Sequence, residues 1–194
     1  MRQIKPIPHE IERKWLVSRF PSREEMKLLK TADIDQIYLS TEPFIRVSRS
    51  VARLINANGE KINYKMTVKG EGTLNREEIE TPVEAHFFYQ CRDMLGKLPI
   101  PMSPIKKDFQ MFEYEGHNIE CSLVDKGAPW SFRYCEVEFE NEAEALVFRF
   151  PHEFFGDVEE VTEVPDFKMK NFWNNTRLPG NESKWNMYRH LMDD

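Results

Sequence analysis

The 194-residue sequence lacks any long hydrophobic run. No stretch approaches the ~18 uninterrupted apolar residues that a membrane-spanning helix needs. Its opening residues, 1–6, also lack the apolar run of a signal peptide. These absences predict a cytoplasmic protein with no membrane segment.

Cysteines are few, and basic residues are in the minority. Cys91, Cys121 and Cys135 are an odd number without C-x-x-C spacing, which excludes a disulfide framework and a zinc knuckle. We expect them to be small, buried hydrophobic residues. Lys and Arg total 27 against 33 Asp and Glu, a net charge of −6, which argues against a protein that coats nucleic acid. Low-complexity tracts, repeats and linkers are also missing, so we expect one domain over residues 1–194.

The sequence does contain a regular alternation of charged and apolar residues with a period of two. In residues 10–17 the even positions to 14 are charged, whereas Ile11, Trp15 and Val17 are large apolar residues. Such alternation predicts a strand with two chemically different faces. The same pattern occurs at 44–48, 63–69, 76–80, 118–123 and 134–140. Turn sequences at 58–59 and 70–72 predict that these strands meet in antiparallel hairpins.

Helices are predicted between and after these strands. Ser22 and Glu25 have capping-box spacing ahead of an apolar segment, which predicts a helix start. Further helices are predicted over 82–96 and 141–148, and a last one over about 182–192 that we expect to pack on the end of the sheet. About eight strands with three or four helices indicate an α+β protein with a mainly antiparallel sheet.

Like charges repeat two residues apart on three of the predicted strands: Glu10 and Glu12, Glu78 and Glu80, Glu136 and Glu138. Two such carboxylates lie about 7 Å apart on one face and repel unless a cation lies between them. Basic residues occur in matching phase at Lys14, Arg46, Lys65, Lys69 and Arg76. If the sheet closes, these side chains line a pore suited to a polyanion and a hard, oxygen-ligated metal ion. A solvated sheet face with cross-strand ion pairs is the alternative, and periodicity alone does not decide between the two.

The motifs resemble those of a known family. Glu10-Ile11-Glu12-Arg13-Lys14 matches the E-x-E-x-K signature of the CYTH or triphosphate tunnel metalloenzyme family, and residues 10–17 are similar to its bacterial branch. Further similar elements follow in order: Phe44-Ile45-Arg46-Val47, Met66-Thr67-Val68-Lys69-Gly70, Arg76-Glu77-Glu78-Ile79-Glu80, Tyr134-Cys135-Glu136-Val137-Glu138-Phe139, Glu160-Val161-Thr162 and Lys170-Asn171. Because the matches run from residue 10 to about 171, the chain is identified as a member of this family.

The resemblance implies an eight-stranded, closed antiparallel β-barrel with helices packed outside, whose tunnel holds a linear triphosphate. It implies substrate-binding roles for Lys14, Arg46, Lys65, Lys69, Arg76, Lys107 and Lys170. It also implies that Glu10, Glu12, Glu136 and Glu138 hold Mg²⁺ or Mn²⁺, with Glu78, Glu80 and Glu120 in the tunnel wall. A catalytic role as acceptor of a proton from water would fall to Glu10 or Glu12, or to Lys14 if its pKa is depressed.

Three positions depart from the family's pattern. Ser48 stands where the arginine strand usually has a second arginine, Phe109 where the middle strand has an arginine, and Ser122 where the acidic strand has an aspartate. Arg49 is expected to point to the opposite face, and Asp125 to lie past a strand end. A one-residue shift in register would bring them inward only by turning the apolar face inward too.

The resemblance predicts divalent-metal-dependent hydrolysis of inorganic triphosphate to diphosphate and phosphate, because the opening motif is similar to that of the tripolyphosphatase branch. Two alternatives stay open. One is an adenylate cyclase of the same family, and the other is a non-catalytic module that binds nucleotide or polyphosphate. The expected partner is a small anionic triphosphate, without nucleic acid or membrane, and the expected assembly is a monomer or a homodimer.

Overall fold

The structure is a computed structural model that describes residues 5–178 of the 194-residue chain. Its main feature is a barrel of eight antiparallel strands. They are β1 (His9–Val17), β2 (Lys27–Thr41), β3 (Phe44–Leu54), β4 (Lys61–Lys69), β5 (Asn75–Pro82), β6 (Ile105–Tyr114), β7 (His117–Val124) and β8 (Phe132–Phe139). Neighbours follow the order β5-β4-β3-β2-β6-β7-β8-β1, and β1 also pairs with β5, which closes the barrel. The expected fold class is confirmed.

Outside the barrel, residues 5–178 form three α-helices, a short 3₁₀ helix (His152–Phe154) and one short strand. The helices are α1 (Ala85–Gly96), α2 (Glu142–Val147) and α3 (Met169–Arg177), and the short strand β9 (Val158–Glu160) pairs with the end of β1. Within residues 5–178, no helix combines the length and the apolar character needed to cross a membrane.

The two faces of β1 show how the barrel is built. Glu10, Glu12 and Lys14 line the interior cavity, whereas Trp15 points outward and stacks on Phe150 with ring centroids 4.4 Å apart. Because strand side chains alternate in direction, the charged row enters the barrel and most of the apolar row packs outside it. The predicted two-faced strand is therefore confirmed.

The helices cover the outer apolar rows. α1 lies over β3 and β4, where Phe88 packs against Tyr64. α2 lies over β1 and β8, and Arg13 fixes it by donating hydrogen bonds to the carbonyl oxygens of Ala145 (2.8 Å) and Phe148 (2.9 Å). α3 packs against β2, where Trp173 contacts Tyr38 at a centroid distance of 5.4 Å.

All six segments with period-two alternation form strands, but alternation does not reveal the whole of β2 or β6. β2 contains two irregularities, one between Leu28 and Lys30 opposite β6 and one between Tyr38 and Ser40 opposite β3. Each extra residue shifts the parity of the side chains, so the alternation of a regular strand is lost. In β6, Phe109 faces the cavity at a position where regular alternation would place a polar residue.

The helix predicted from Ser22 and Glu25 is wrong, although its capping box forms. The backbone amide of Ser22 donates to the Glu25 carboxylate (2.8 Å), and the amide of Glu25 donates to the Ser22 hydroxyl (3.3 Å). The chain makes only one turn there and then enters β2 at Lys27. Pairing with both β3 and β6 over this segment outweighs the local helix signal.

The helices predicted over 82–96 and 141–148 are confirmed as α1 and α2, and Asn141 caps α2 by accepting a hydrogen bond from the amide of Glu144 (2.9 Å). α3 was not predicted. The helix predicted over about 182–192 lies outside the described residues.

Candidate active site: a charged tunnel

The barrel encloses a cavity of about 700 Å³ to which all eight strands contribute. Every predicted site residue lines it: Glu10, Glu12, Lys14, Arg46, Lys65, Lys69, Arg76, Glu78, Glu80, Lys107, Glu120, Glu136, Glu138 and Lys170. Barrel closure thus brings side chains from residue 10 to residue 170 to one place.

One half of the cavity, which we call the paired wall, consists of the consecutive strands β8, β1, β5 and β4. Arg76 lies 2.9 Å from the Glu10 carboxylate and also contacts Glu12. Lys14 lies 2.7 Å from Glu12 and 3.0 Å from Glu136. These cations relieve the repulsion that the sequence spacing of the carboxylates creates.

A second cluster on the paired wall contains Lys69, whose ammonium lies 2.6 Å from Glu10 and 2.9 Å from Glu78. Burial raises the pKa of Glu78 to about 8, and its hydrogen bond with Glu10 adds to the rise. Burial alone would raise the pKa of Glu10 as well, but Glu78, Lys69 and Arg76 together lower it below its ordinary value. Glu10 is therefore charged while Glu78 holds a proton near neutral pH.

Lys14 does not meet the condition for a proton acceptor. Burial by itself would lower the pKa of its ammonium group, but the charges of Glu12 and Glu136 outweigh burial and raise it. Lys14 therefore stays protonated and acts as a fixed cation.

The other half of the cavity, which we call the open wall, consists of β3, β2, β6 and β7. Arg46 forms no ion pair with a carboxylate of residues 5–178, and its hydrogen bond to the Thr67 hydroxyl is long at 3.4 Å. Its Nε is buried and has no hydrogen-bond partner within this range. An unpaired guanidinium facing a cavity is suited to bind an anion.

Lys107 is a second cation of the open wall. Its ammonium donates a hydrogen bond to the Tyr134 hydroxyl and has no ion-pair partner among the carboxylates of the described chain. Burial lowers the pKa of Lys107 to about 7, against the opposing charge of Glu136.

A third cation, Lys30, was missed from the sequence because β2 was not recognised as a strand. It lines the cavity, and its ammonium lies 5.1 Å from the centroid of the Phe109 ring. No local signal marks it, because Ala32, Ile34 and Gln36, which face the tunnel at the following alternate positions, do not continue a charged row.

Carboxylates gather where β7 meets β8. Glu120 pairs in register with Glu136, and Glu138 follows two residues later on the same face. Burial raises the pKa of Glu120 to about 7, with further contributions from the charges of Glu138 and Glu136. Burial and the neighbouring carboxylates Glu10, Glu12 and Glu136 also raise the pKa of Glu138. The negative charge at this junction is only partly neutralised.

No three His, Cys, Asp or Glu side chains among residues 5–178 converge in a ready-made metal-binding group. Glu10 and Glu12, two of the predicted metal ligands, are held by Lys69, Arg76 and Lys14.

Arg49 and Asp125 do not replace the residues missing at the three departures from the family's pattern. Ser48, Phe109 and Ser122 all line the cavity. Arg49 points away from it toward Asp35 (3.4 Å), as expected from its parity. Asp125 lies past the end of β7, where it accepts hydrogen bonds from Trp130 (3.0 Å) and Arg177 (2.5 Å).

Lys170 reaches the cavity from the first turn of α3. Its ammonium lies 2.7 Å from Glu42 and 3.1 Å from Glu71, both of which are largely exposed. Exposed partners contribute little binding energy, so they are readily exchanged for another anion.

The three cysteines are buried free thiols, as expected. Cys121 and Cys135 lie in contact with each other at 3.4 Å between sulfur atoms.

The fold and its lining define a closed barrel with charged side chains of both signs in its interior, and we compared the chain with known proteins. No family model matches the chain. The chain is 33% identical to the inorganic triphosphatase of Nitrosomonas europaea over 175 residues, which cover 83% of this chain and 94% of that protein. It is also similar to a crystal structure of the inorganic triphosphatase NE1496, with a TM-score of 0.51 and 26% identity over 84% of this chain and 93% of that one. A second crystal structure of NE1496 gives a TM-score of 0.51 and 27% identity over 84% of this chain and 96% of that chain.

The chain therefore belongs to the CYTH or triphosphate tunnel metalloenzyme family.

Proposed function

We propose that this chain hydrolyses inorganic triphosphate to diphosphate and phosphate inside its barrel, with a divalent cation bound. The observation that supports the proposal most directly is the set of unpaired cations on the open wall. Its cations Lys30, Arg46 and Lys107 face the cavity without a carboxylate partner among residues 5–178. The triphosphatase relative supplies the substrate class.

The substrate lies between the two walls. Arg46 and Lys107 donate hydrogen bonds to phosphate oxygens directly, because neither must first release a carboxylate. Lys14, Lys69 and Arg76 lie opposite in the paired wall and add positive charge to the same cavity. Cations held on several sides of a transferring phosphoryl group stabilise the charge that spreads over its oxygens.

Glu120, Glu136 and Glu138 are our candidate ligands for a hard divalent cation such as Mg²⁺ or Mn²⁺, which would have to draw them together, since they form no ready-made metal-binding group. They offer carboxylate oxygens, which these ions prefer. The raised pKa values of Glu120 and Glu138 reflect negative charge that a cation would relieve. Glu12, opposite Glu138 in register, is a further candidate ligand if it releases Lys14 or Arg76. When bound, the cation polarises phosphoryl oxygens and orients a water molecule.

Glu10 and Glu12 stay the candidate proton acceptors, because Lys14 stays protonated and Lys107 is needed as a cation that binds phosphate. Tyr134 holds the Lys107 nitrogen in place through their hydrogen bond. Glu10 has a lowered pKa and Glu12 is engaged by two cations, so either carboxylate would need a water whose own pKa a bound divalent cation has lowered.

The test is incubation of the purified chain with inorganic triphosphate, ATP and thiamine triphosphate, each with Mg²⁺, with Mn²⁺ and with EDTA. Release of phosphate from inorganic triphosphate that stops with EDTA is the expected result. Cyclic AMP from ATP would instead indicate the cyclase, and tight binding without turnover would indicate a non-catalytic module.

We also expect the reaction to take place in the cytoplasm. The buried thiols of Cys91, Cys121 and Cys135 are unpaired, which suits a reducing compartment.

A further inference from the structure

Lys30 lies at one end of the tunnel, on the strand opposite β1. β2 is the fourth strand from β1 in either direction around the barrel. Lys30 pairs in register with Leu54, whose side chain is 57% exposed at the end of β3. The side chain of Lys30 therefore enters the cavity from the solvent-facing mouth.

A β-bulge directs Lys30 inward. Leu28 and Lys30 are two residues apart and would share a face in a regular strand. The register shift between them lets Leu28 join the outer core with Phe112, while Lys30 lines the cavity. Bulges commonly re-aim side chains in this way near functional sites.

The immediate partner of the Lys30 ammonium is an aromatic ring, since it lies 5.1 Å from the centroid of Phe109. It forms no ion pair with a carboxylate of residues 5–178, although Glu120 is near enough to be affected by its charge. Lys27, three residues earlier on the same strand, differs in this respect, because it lies on the outer surface 2.6 Å from Glu113. A cation over a ring stays positioned and keeps its N–H groups for a ligand.

We propose that Lys30 is a substrate-binding residue that holds the mouth-end phosphate of inorganic triphosphate, with Phe109 as its positioning residue. This inference rests on the proposed function. Ile34, which pairs with Lys107, is four residues from Lys30 along β2, about 13 Å of strand. An anion bound at Lys107 reaches farther toward Lys30 with each added phosphate, so Lys30 favours triphosphate over diphosphate.

The experiment measures binding of inorganic triphosphate and of diphosphate to the metal-free protein by calorimetry, together with the kinetics of triphosphate hydrolysis. Lys30→Gln is expected to raise the Kd and KM for triphosphate about tenfold, the loss typical of one hydrogen bond to a charged group. Its kcat and its Kd for diphosphate should stay within about twofold of the wild-type values. Lys30→Arg should restore most of the triphosphate affinity, and Phe109→Leu should weaken it about threefold.

Lys27→Gln is the matched control, and it should change none of these constants. Equal midpoints of urea unfolding show that the variants are folded. An unchanged Kd for triphosphate in Lys30→Gln, or an equal loss for triphosphate and diphosphate, overturns the proposal. If wild type binds triphosphate in a Lys30-dependent way but does not hydrolyse it, the proposed hydrolysis fails and the role of Lys30 stands. If wild type neither binds triphosphate nor hydrolyses it with Mg²⁺ or Mn²⁺ present, both fail.

Discussion

The two halves of the tunnel differ in how far their buried charges are neutralised by ion pairs. The paired wall places four Lys and Arg side chains among six glutamates, whereas the open wall places three beside a single glutamate. In the paired wall, Arg76 and Lys14 link Glu10, Glu12 and Glu136 into one network. In the open wall, Arg46 and Lys107 have only hydroxyl partners among residues 5–178.

This difference implies that the paired wall contributes mainly to the stability of the fold and the open wall mainly to ligand binding. Buried charges cost free energy unless they are paired, so the paired wall makes the empty tunnel tolerable. The open wall leaves cations incompletely satisfied, which a polyanion would correct. Substitutions of the ion-paired residues in the paired wall should therefore act on folding, and substitutions of the unpaired cations in the open wall on ligand affinity.

The largest effect is expected from Arg76→Ala in the paired wall. This change leaves Glu10 and Glu12 without their shared guanidinium, and breaking a buried network of this kind costs about 3 kcal/mol of the free energy of unfolding. Urea unfolding followed by circular dichroism measures the loss. Arg46→Ala is the control and should change stability by less than about 1 kcal/mol. Equal losses in the two variants would contradict the comparison.

A loss of activity without a loss of fold is expected from Glu138→Gln, at the junction of the walls. If Glu138 holds the divalent cation, kcat for triphosphate should fall about 100-fold, or about 2.7 kcal/mol, as when one preorganised electrostatic group is removed. Phosphate release measured across a range of Mn²⁺ concentrations tests this. Glu113→Gln, on the outer surface beside Lys27, is the matched control. Unchanged activity in Glu138→Gln would remove Glu138 from the metal site.

A smaller effect is expected from Arg46→Ala on binding. Loss of charge-assisted hydrogen bonds to phosphate should weaken triphosphate affinity by about 2 kcal/mol. Arg49→Ala, three positions along β3 and outside the cavity, should change affinity by less than about 0.5 kcal/mol. Calorimetric titration of both variants with inorganic triphosphate measures the change in affinity. Retained affinity in Arg46→Ala would mean that the open wall does not bind the substrate.

The smallest effect concerns pH. Burial lowers the pKa of Lys107 to about 7, so its ammonium loses a proton as the pH rises through that value. Triphosphate affinity in wild type should therefore fall from pH 6 to pH 8, relative to Lys107→Arg, by about tenfold, or about 1.4 kcal/mol. The ligand's own titration cancels in this ratio because both proteins bind the same anion. A ratio that does not change with pH would show that Lys107 does not titrate in this range.

Much of the site was predictable, because the alternation of side chains between the two faces of a strand depends only on positions along the local sequence. The alternation around Glu10, Glu12 and Lys14 fixed which side chains share a face, and the resemblance extended the set to Lys107 and Lys170. All of these residues line the cavity. Their roles in binding and catalysis stay predictions.

The errors arose where local signals and long-range pairing disagree. Ser22 and Glu25 form the capping box that predicts a helix, yet the residues that follow join β2 because two neighbouring strands offer them ladders of hydrogen bonds. Bulges in β2 shifted the alternation, and Lys30 was missed as a result. A bulge is visible only when the partner strand is known.

By itself, the sequence determined that this protein has two-faced strands with charges of both signs on one face, because that pattern depends only on the spacing of residues along the chain. Only the tertiary structure decided which of those cations are neutralised. Whether Lys69 meets Glu10, or Arg46 meets no carboxylate of the described chain, depends on which strands become neighbours and at what register when the barrel closes. Charge pairing across a closed sheet is a property of that register and not of any one strand.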